Sequence, residues 1–284
     1  MKLKLPNWGS LCNPNLLMNS DYRSGIINQK GTTSLDKSDG STELGIDGWI
    51  QYGINIAVGT NYITFANRTN TTHTVQQPLD IKSLKAGDKV TFYASCFNIT
   101  GSVYIYMTGL DAQKKKLSNG ENEFTFTLTS ALERFYIELA PNAVVSFNCK
   151  KLEIGEHFTG MPPWNRASEL EKCKERFLFV PVIFNGYVDE NGKIFIACED
   201  SRKLVKEPSL IIDVNTQIVL YYDDGNGTYL LENIKEGRYA TKDGYICLGT
   251  LTSYKNWRIS GYYKSGKIFL DTYDYNQFSC TLFL

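Results

Sequence analysis

Alternation constrains this chain more than any other feature. The segments ITFAN (63–67), KVTFYASCFNI (89–99), SVYIYMTG (102–109), NEFTFTLT (122–129), RFYIELAP (134–141) and VVSFNCKKLEI (144–154) alternate apolar and polar side chains. A period of two buries one face of a pleated strand and wets the other. Several such segments, spaced by about ten to twenty residues, predict an antiparallel sandwich or barrel. No helix-period segment of useful length precedes residue 165, and residues 28–48, rich in Gly, Ser, Thr and Asp, are expected to be loops.

Past residue 177 the β pattern returns. FLFVPVIFNGYV (177–188) runs through Asp189-Glu190-Asn191-Gly192 into KIFIACED (193–200), a good hairpin signal. SLIIDV, QIVLYY, GTYLLENI, GYICLGTL, NWRISGYY and GKIFLDTY follow, parted by turns such as DDGNG (223–227). Between the halves lies a seam, KLEIGEHFTGMPPWNRASELEKCKERF (151–177). It begins as a strand and breaks at Pro162-Pro163, where neither ladder nor helix can continue. It restarts as a short charged helix. Ser168-Glu-Leu-Glu171 fits a capping box, and Asn165 is the alternative cap. Leu170, Cys173 and Phe177 fall on one face at helical spacing. That stripe suits a linker helix docked on one domain, or a helix meeting its own copies about a threefold axis. The expected division is a lead-in (1–14), a sandwich (15–160), a Pro-Pro linker with its helix (161–177) and a small antiparallel β domain (178–284).

Composition narrows the function classes. A length of 284 residues suits two domains. Thirty Lys plus Arg against thirty Asp plus Glu leave no basic footprint for nucleic acid. No window of about 20 apolar residues offers membrane insertion. The start, MKLKLPNWGSLCNPNLL, lacks the unbroken apolar stretch of a secretory signal. Seven scattered cysteines without a CxxC pair read as reduced, mostly buried thiols. His73 and His157 have no metal-ligand spacing, and no nucleophile elbow, P-loop or dinucleotide fingerprint occurs, so no enzyme is indicated. No cofactor is implied beyond a structural calcium. The loop LDKSDGSTELGIDGW (35–49) offers Asp36, Asp39, Glu43 and Asp47 as hard oxygen ligands, without EF-hand spacing. A solvated polar loop is the plainer reading.

Eighteen Tyr, fifteen Phe and four Trp are many for a chain this size. Exposed aromatic rings stack on the apolar faces of sugars while nearby amides and carboxylates fix the hydroxyls. Tyr104 and Tyr106 share one strand face, Trp164 sits beside a turn, and Tyr221, Tyr222, Trp257 and Tyr262 flank polar loops. These seven are the candidate ligand contacts, each in competition with core packing.

Four further stretches follow one another in order: NPNLLMNSDYRSGIINQKG (13–31), IDGWI (46–50), LKAGDKVT (84–91) and the seam itself. In order and spacing they resemble the tail fibre and receptor-binding proteins of bacteriophages and prophages, over about residues 13–177. The resemblance implies a jelly roll like a carbohydrate-binding module, with Trp49 buried, followed by a variable distal domain that faces the host. It also implies non-catalytic adhesion to a host cell-surface glycan, a place in the virion tail after assembly in the bacterial cytoplasm, and contact with other tail or baseplate proteins. A homotrimer is expected, joined through Leu170, Cys173 and Phe177 and through the apolar Leu282 and Leu284. The alternatives are a structural baseplate or fibre connector and a polysaccharide depolymerase. Lys30 and Gly48 stand where that family has Arg, and Phe177 where it has Tyr, so no site built on those arginines carries over.

Overall fold

Twelve strands carry the alternating half of the chain. They are β1 (Ser34–Leu35), β2 (Thr42–Leu44), β3 (Ile50–Tyr52), β4 (Asn55–Val58), β5 (Ile63–Ala66), β6 (His73–Pro78), β7 (Lys89–Thr100), β8 (Val103–Met107), β9 (Lys115–Lys116), β10 (Gly120–Thr127), β11 (Arg134–Leu139) and β12 (Val144–Ile154). The structure is a computed structural model that describes residues 12–31, 33–79, 81, 83–110, 114–180, 183–204, 208–212, 217–222, 228–231, 239–240, 244–250, 258–265 and 268–271. The chain divides into two compact units, residues 1–170 and 171–284.

In the first unit the strands form two six-stranded antiparallel sheets, ordered β1-β4-β5-β12-β7-β10 and β2-β3-β6-β11-β8-β9. Their inward faces close a jelly-roll sandwich around Trp49, Phe65, Phe92, Phe126, Phe135 and Phe147, all buried. Ring contacts knit the sheets: Trp49 meets Phe135 edge-on at 6.3 Å, and Phe92 stacks on Phe135 at 5.1 Å. The span 28–48 is not all loop, since β1 and β2 lie in it as short edge strands.

The quoted motifs turn out to be a fastener. Leu16 N–H donates to the Leu152 carbonyl and Lys150 N–H to the Ser20 carbonyl, so residues 13–21 run antiparallel along the C-terminal half of β12. The Asn15 amide fills in for missing backbone partners, accepting from Leu17 and Leu152 N–H and donating to the Lys150 carbonyl. Asn19, in the left-handed region (φ 47°), donates to the Ile27 and Asp47 carbonyls and accepts from Ile27 N–H. Asp47 accepts from Gln29 N–H and Nε2. Trp49 Nε1 donates to the Met18 and Asn19 carbonyls, both at 3.1 Å. The segment expected as a lead-in therefore continues directly into sandwich structure.

Two consecutive lysines of β12 point to opposite faces. On the outward face Lys151 and Glu153, both fully buried, form an ion pair at 2.9 Å. The loop after β12 covers them, with Lys151 Nζ also donating to Thr159 Oγ1 and the Gly160 carbonyl. Lys150 points inward instead. Its Nζ lies 4.3 Å from the Tyr22 and Trp49 ring centres, 4.6 Å from Phe147 and 5.3 Å from Phe65. Its hydrogen-bond partner is the Tyr22 hydroxyl. Burial pushes the Lys150 ammonium well below its ordinary pKa, because the low-dielectric core disfavours charge.

The seam contains the helix α1 (Arg166–Lys174). Asn165 is its N-cap: its Oδ1 accepts from Ser168 N–H and its carbonyl from Glu169 N–H. Ser168 therefore sits inside the helix, and the capping-box expectation gives way to the alternative. Phe177 is no longer helical; it opens β13 (Phe177–Phe179).

In the second unit β13 pairs with β22 (Ile268–Asp271), which also pairs with β16 (Ser209–Ile212). A seven-stranded antiparallel sheet is ordered β18 (Thr228–Leu231), β17 (Gln217–Tyr222), β21 (Arg258–Ser265), β14 (Ile183–Val188), β15 (Lys193–Ala197), β20 (Tyr245–Thr250), β19 (Tyr239–Ala240). The run 177–188 is thus two strands in different sheets. The hairpin at 189–192 forms as expected, with Gly192 N–H donating to the Asp189 carbonyl. Leu178 and Leu270 of the small sheet share a core with Phe184, Ile194, Ile196 and Ile246 of the large one.

Candidate functional site

The outward face of the β1-β4-β5-β12-β7-β10 sheet is open over the half that the loop after β12 leaves uncovered. Cross-strand register puts Ser34 beside Ala57, Ala57 beside Thr64, Thr64 beside Ser146 and Ser146 beside Phe97. The next row holds Asn55, Ala66 and Val144. Small side chains on adjacent strands leave a groove of about 530 Å³, bordered by Asp36, Asn67, Arg68 and Asn142. The Thr64 hydroxyl, in the lining, hydrogen-bonds at 2.8 Å to the hydroxyl of buried Ser146.

One end of the row is aromatic. Tyr62, 36% exposed, meets Phe97 edge-on at 5.4 Å. The border next to the Asn55, Ala66 and Val144 row is polar. Asn67 is buried and donates to the Thr71, Leu139 and Ala140 carbonyls, which fixes the chain as it turns out to the exposed Arg68. Asp36 accepts from Ser38 N–H, and this bond holds its carboxyl below the ordinary value. At a strand spacing of about 4.8 Å, a row of five strands is about 19 Å long. The groove itself spans β1, β4, β5 and β12, three spacings or about 14 Å, and its hydroxyl, amide and charged border offers the polar contacts that sugars require.

None of the seven ligand contacts chosen from sequence lines this groove; of the calcium candidates, Asp36 borders it. Tyr104 and Tyr106 do share an outward face, but on the opposite sheet. Tyr106 stacks on Tyr136 at 4.6 Å and nearly parallel (6°), and the Lys114 ammonium lies 5.1 Å from its ring centre. Trp164 is half-buried against the Gly25 turn, where a β-carbon would come within 3.2 Å of the ring. Tyr221 pairs with Ser260, Tyr222 with Ile259 and Tyr262 with Ile183 in the seven-stranded sheet. Trp257, Leu282 and Leu284 lie outside the described residues. Cys173 and Phe177 are buried within one chain, so the helical stripe needs no second copy to cover them, and Leu170 is half-buried. The calcium candidates do not converge: Asp39 accepts from Ser41, Asp36 from Ser38, and buried Asp47 from Gln29. The side chain of Glu43 lies outside the described set, and among the described residues no cluster of three or more His, Cys, Asp or Glu could hold a metal.

The groove residues did leave a trace in the sequence. In NIAVGTNYITFAN (55–67) the outward positions Ala57, Thr64 and Ala66 are small where a strand usually carries larger polar side chains.

No family model matches the chain, and no curated protein matches it. Among solved structures it is similar to one described as "CBM4 structure and function", at 16% identity over 49% of this chain and 99% of that one, with a TM-score of 0.31. It is similar to the adhesin domain of Epf from Streptococcus pyogenes at 12% identity, over 88% and 91%, with a TM-score of 0.28. It is also similar to the N-terminal CBM22 tandem domain of Paenibacillus barcinonensis Xyn10C at 10% identity, over 91% and 96%, with a TM-score of 0.31. Likenesses this distant carry no weight for function, and the sandwich assignment rests on the strand pairing itself.

Proposed function

We propose that the chain is a non-catalytic glycan-binding protein whose sandwich groove receives a saccharide chain. The supporting observation is the groove lined by Ser34, Ala57, Thr64, Ala66 and Val144, a floor of small residues with Asp36, Asn55, Asn67, Arg68 and Asn142 at its border; the Tyr62–Phe97 pair lies outside that lining. A ring lying on Ala57 and Thr64 meets no bulk, and its hydroxyls find Asn55, Asn142 and Arg68 at the edges. The proposed role agrees with the names of the structures above but is carried by the groove.

Within this reading the protein belongs to a phage or prophage tail, as a receptor-binding fibre component that acts as a homotrimer. The order and spacing of its sequence motifs support that placement. Several weak sites on one particle raise avidity by orders of magnitude, so single-site affinity can be modest. A glycan array followed by calorimetry tests the groove. Ala57→Trp places a large ring on an exposed floor position and should weaken binding at least tenfold without unfolding the sandwich. Silence across the array, or unchanged binding by the Trp variant, would remove the reading.

A further inference from the structure

The groove's border pairs an acceptor with a donor. Asp36 and Arg68 both line it, and both are exposed. They reach it from different strands, Asp36 directly after β1 and Arg68 just past β5. The Arg68 guanidinium lies close enough to act electrostatically on the Asp36 carboxylate. An ionised carboxylate only accepts hydrogen bonds, and a guanidinium only donates them.

Neither group sits on a bare loop tip. Asp36 Oδ1 accepts from Ser38 N–H at 3.0 Å, and the Asn55 side chain hydrogen-bonds to the same carboxylate. Asn55 is itself fixed: it is 8% exposed, and its Oδ1 accepts from Lys37 N–H at 2.7 Å. Across the border, buried Asn67 donates to the Thr71, Leu139 and Ala140 carbonyls and anchors the chain from which Arg68 extends. Polar groups held in this way lose less freedom when a ligand arrives.

Three kinds of ligand group can be weighed against this pair. A carboxylate or phosphate drawn to Arg68 meets the like charge of Asp36. An ammonium drawn to Asp36 meets the like charge of Arg68. A hydroxyl donates to the one and accepts from the other, because it is both donor and acceptor. Two neighbouring hydroxyls on one ring therefore satisfy both side chains and bring no charge to be repelled. Hydrogen bonds to charged groups are also the stronger kind.

We propose that Asp36 is a specificity-determining residue of the groove and that the ligand is a neutral saccharide with adjacent free hydroxyls. The assignment rests on the groove reading above and narrows it: sugars that carry acidic groups, or whose hydroxyls are blocked, are rejected.

The test uses the full chain and three sets of probes. These are linear oligosaccharides of glucose, galactose and mannose, the same chains oxidised at C6 to uronates, and the same chains O-methylated. Affinity is measured by calorimetry. At least one neutral chain should bind tenfold or more tightly than both of its modified forms. Asp36→Asn keeps an oxygen for Ser38 N–H and removes the charge. It should weaken binding of the neutral chain about tenfold and narrow the gap between neutral and uronate chains. Circular dichroism confirms that the variant is folded. Ala57→Trp reports on the groove separately. If a uronate or O-methylated chain binds as tightly as its neutral form, or Asp36→Asn binds like wild type, while Ala57→Trp weakens binding, the specificity assignment is overturned and the groove reading survives. If no probe binds, or Ala57→Trp changes nothing, both are overturned.

Discussion

Replacing Lys150 with Met tests which of two opposing effects governs the sandwich core. Four rings surround the Lys150 ammonium at 4.3–5.3 Å. A desolvated cation–π contact contributes about 2 kcal/mol. Against this stands the loss of water around a fully buried ammonium, which costs several kcal/mol per ion. Its three protons have the Tyr22 hydroxyl as hydrogen-bond partner, and no carboxylate pairs with it among the described residues. Desolvation should win, in line with the lowered pKa. The sign follows from linkage. A base whose folded pKa is depressed binds fewer protons folded than unfolded, so stability rises with pH. The contribution is complete above the unfolded value near 10.5 and declines as pH falls toward the folded value. Within that window the slope is about 1.4 kcal/mol per pH unit. Urea unfolding followed by tryptophan fluorescence, at intervals from pH 8 to 9.5, should therefore show wild type gaining stability relative to Lys150→Met as pH rises, by up to about 1.4 kcal/mol per pH unit. Met fills similar space and keeps favourable sulfur–aromatic contacts, so the variant should fold. A difference that stays flat across this range would mean that the rings hold the ammonium charged, and the desolvation account would fail.

Three other substitutions probe the outward face and the seam. Glu153→Ala leaves Lys151 buried without its carboxylate and should cost about 3–5 kcal/mol in urea unfolding; a loss below 1 kcal/mol would show that the Thr159 and Gly160 oxygens suffice. Asn165→Ala should cost α1 about 1 kcal/mol while Ser168→Ala changes little, and thermal melts showing the reverse order would restore Ser168 as the cap.

Strand β12 was legible as a strand from its apolar and polar mixture, although register shifts between Val144 and Ser146 and between Phe147 and Cys149 interrupt its alternation. Strand β6, His73–Pro78, was not, since its burial pattern places Gln76 and Gln77 among the buried residues and hides the alternation. Gln77 is buried for a reason invisible in one dimension: its amide joins Met18 N–H and the Met18 and Gly48 carbonyls. The stripe Leu170, Cys173, Phe177 misled in the opposite way. Its spacing is helical, but Phe177 has already entered a strand, so the periodicity spans two elements. The motifs at 13–31, 46–50, 84–91 and 151–177 were recognisable as a set, and the first two proved to be joined to each other and to β12 by hydrogen bonds within the sandwich. The groove was not legible, because its lining comes from strands between residues 34 and 144 and its depth arises from side chains that are small. Sequence patterns favour large aromatic residues as ligand contacts, whereas a concavity depends equally on what is missing.

The antiparallel run of residues 13–21 along β12 has a mechanical consequence. Asn13 Nδ2 donates to the Ile154 carbonyl, so the start of this run and the end of β12 are neighbouring points at one end of the sandwich. Tension between these two points pulls the strands apart sideways rather than sliding them past each other. The bonds then open one after another, starting at Asn13 and Ile154 and moving toward Asp21 and Cys149. Such peeling needs less force than shearing the same bonds together. Under load the N-terminal segment would detach first, lengthening the chain like a short tether while the aromatic core stays closed.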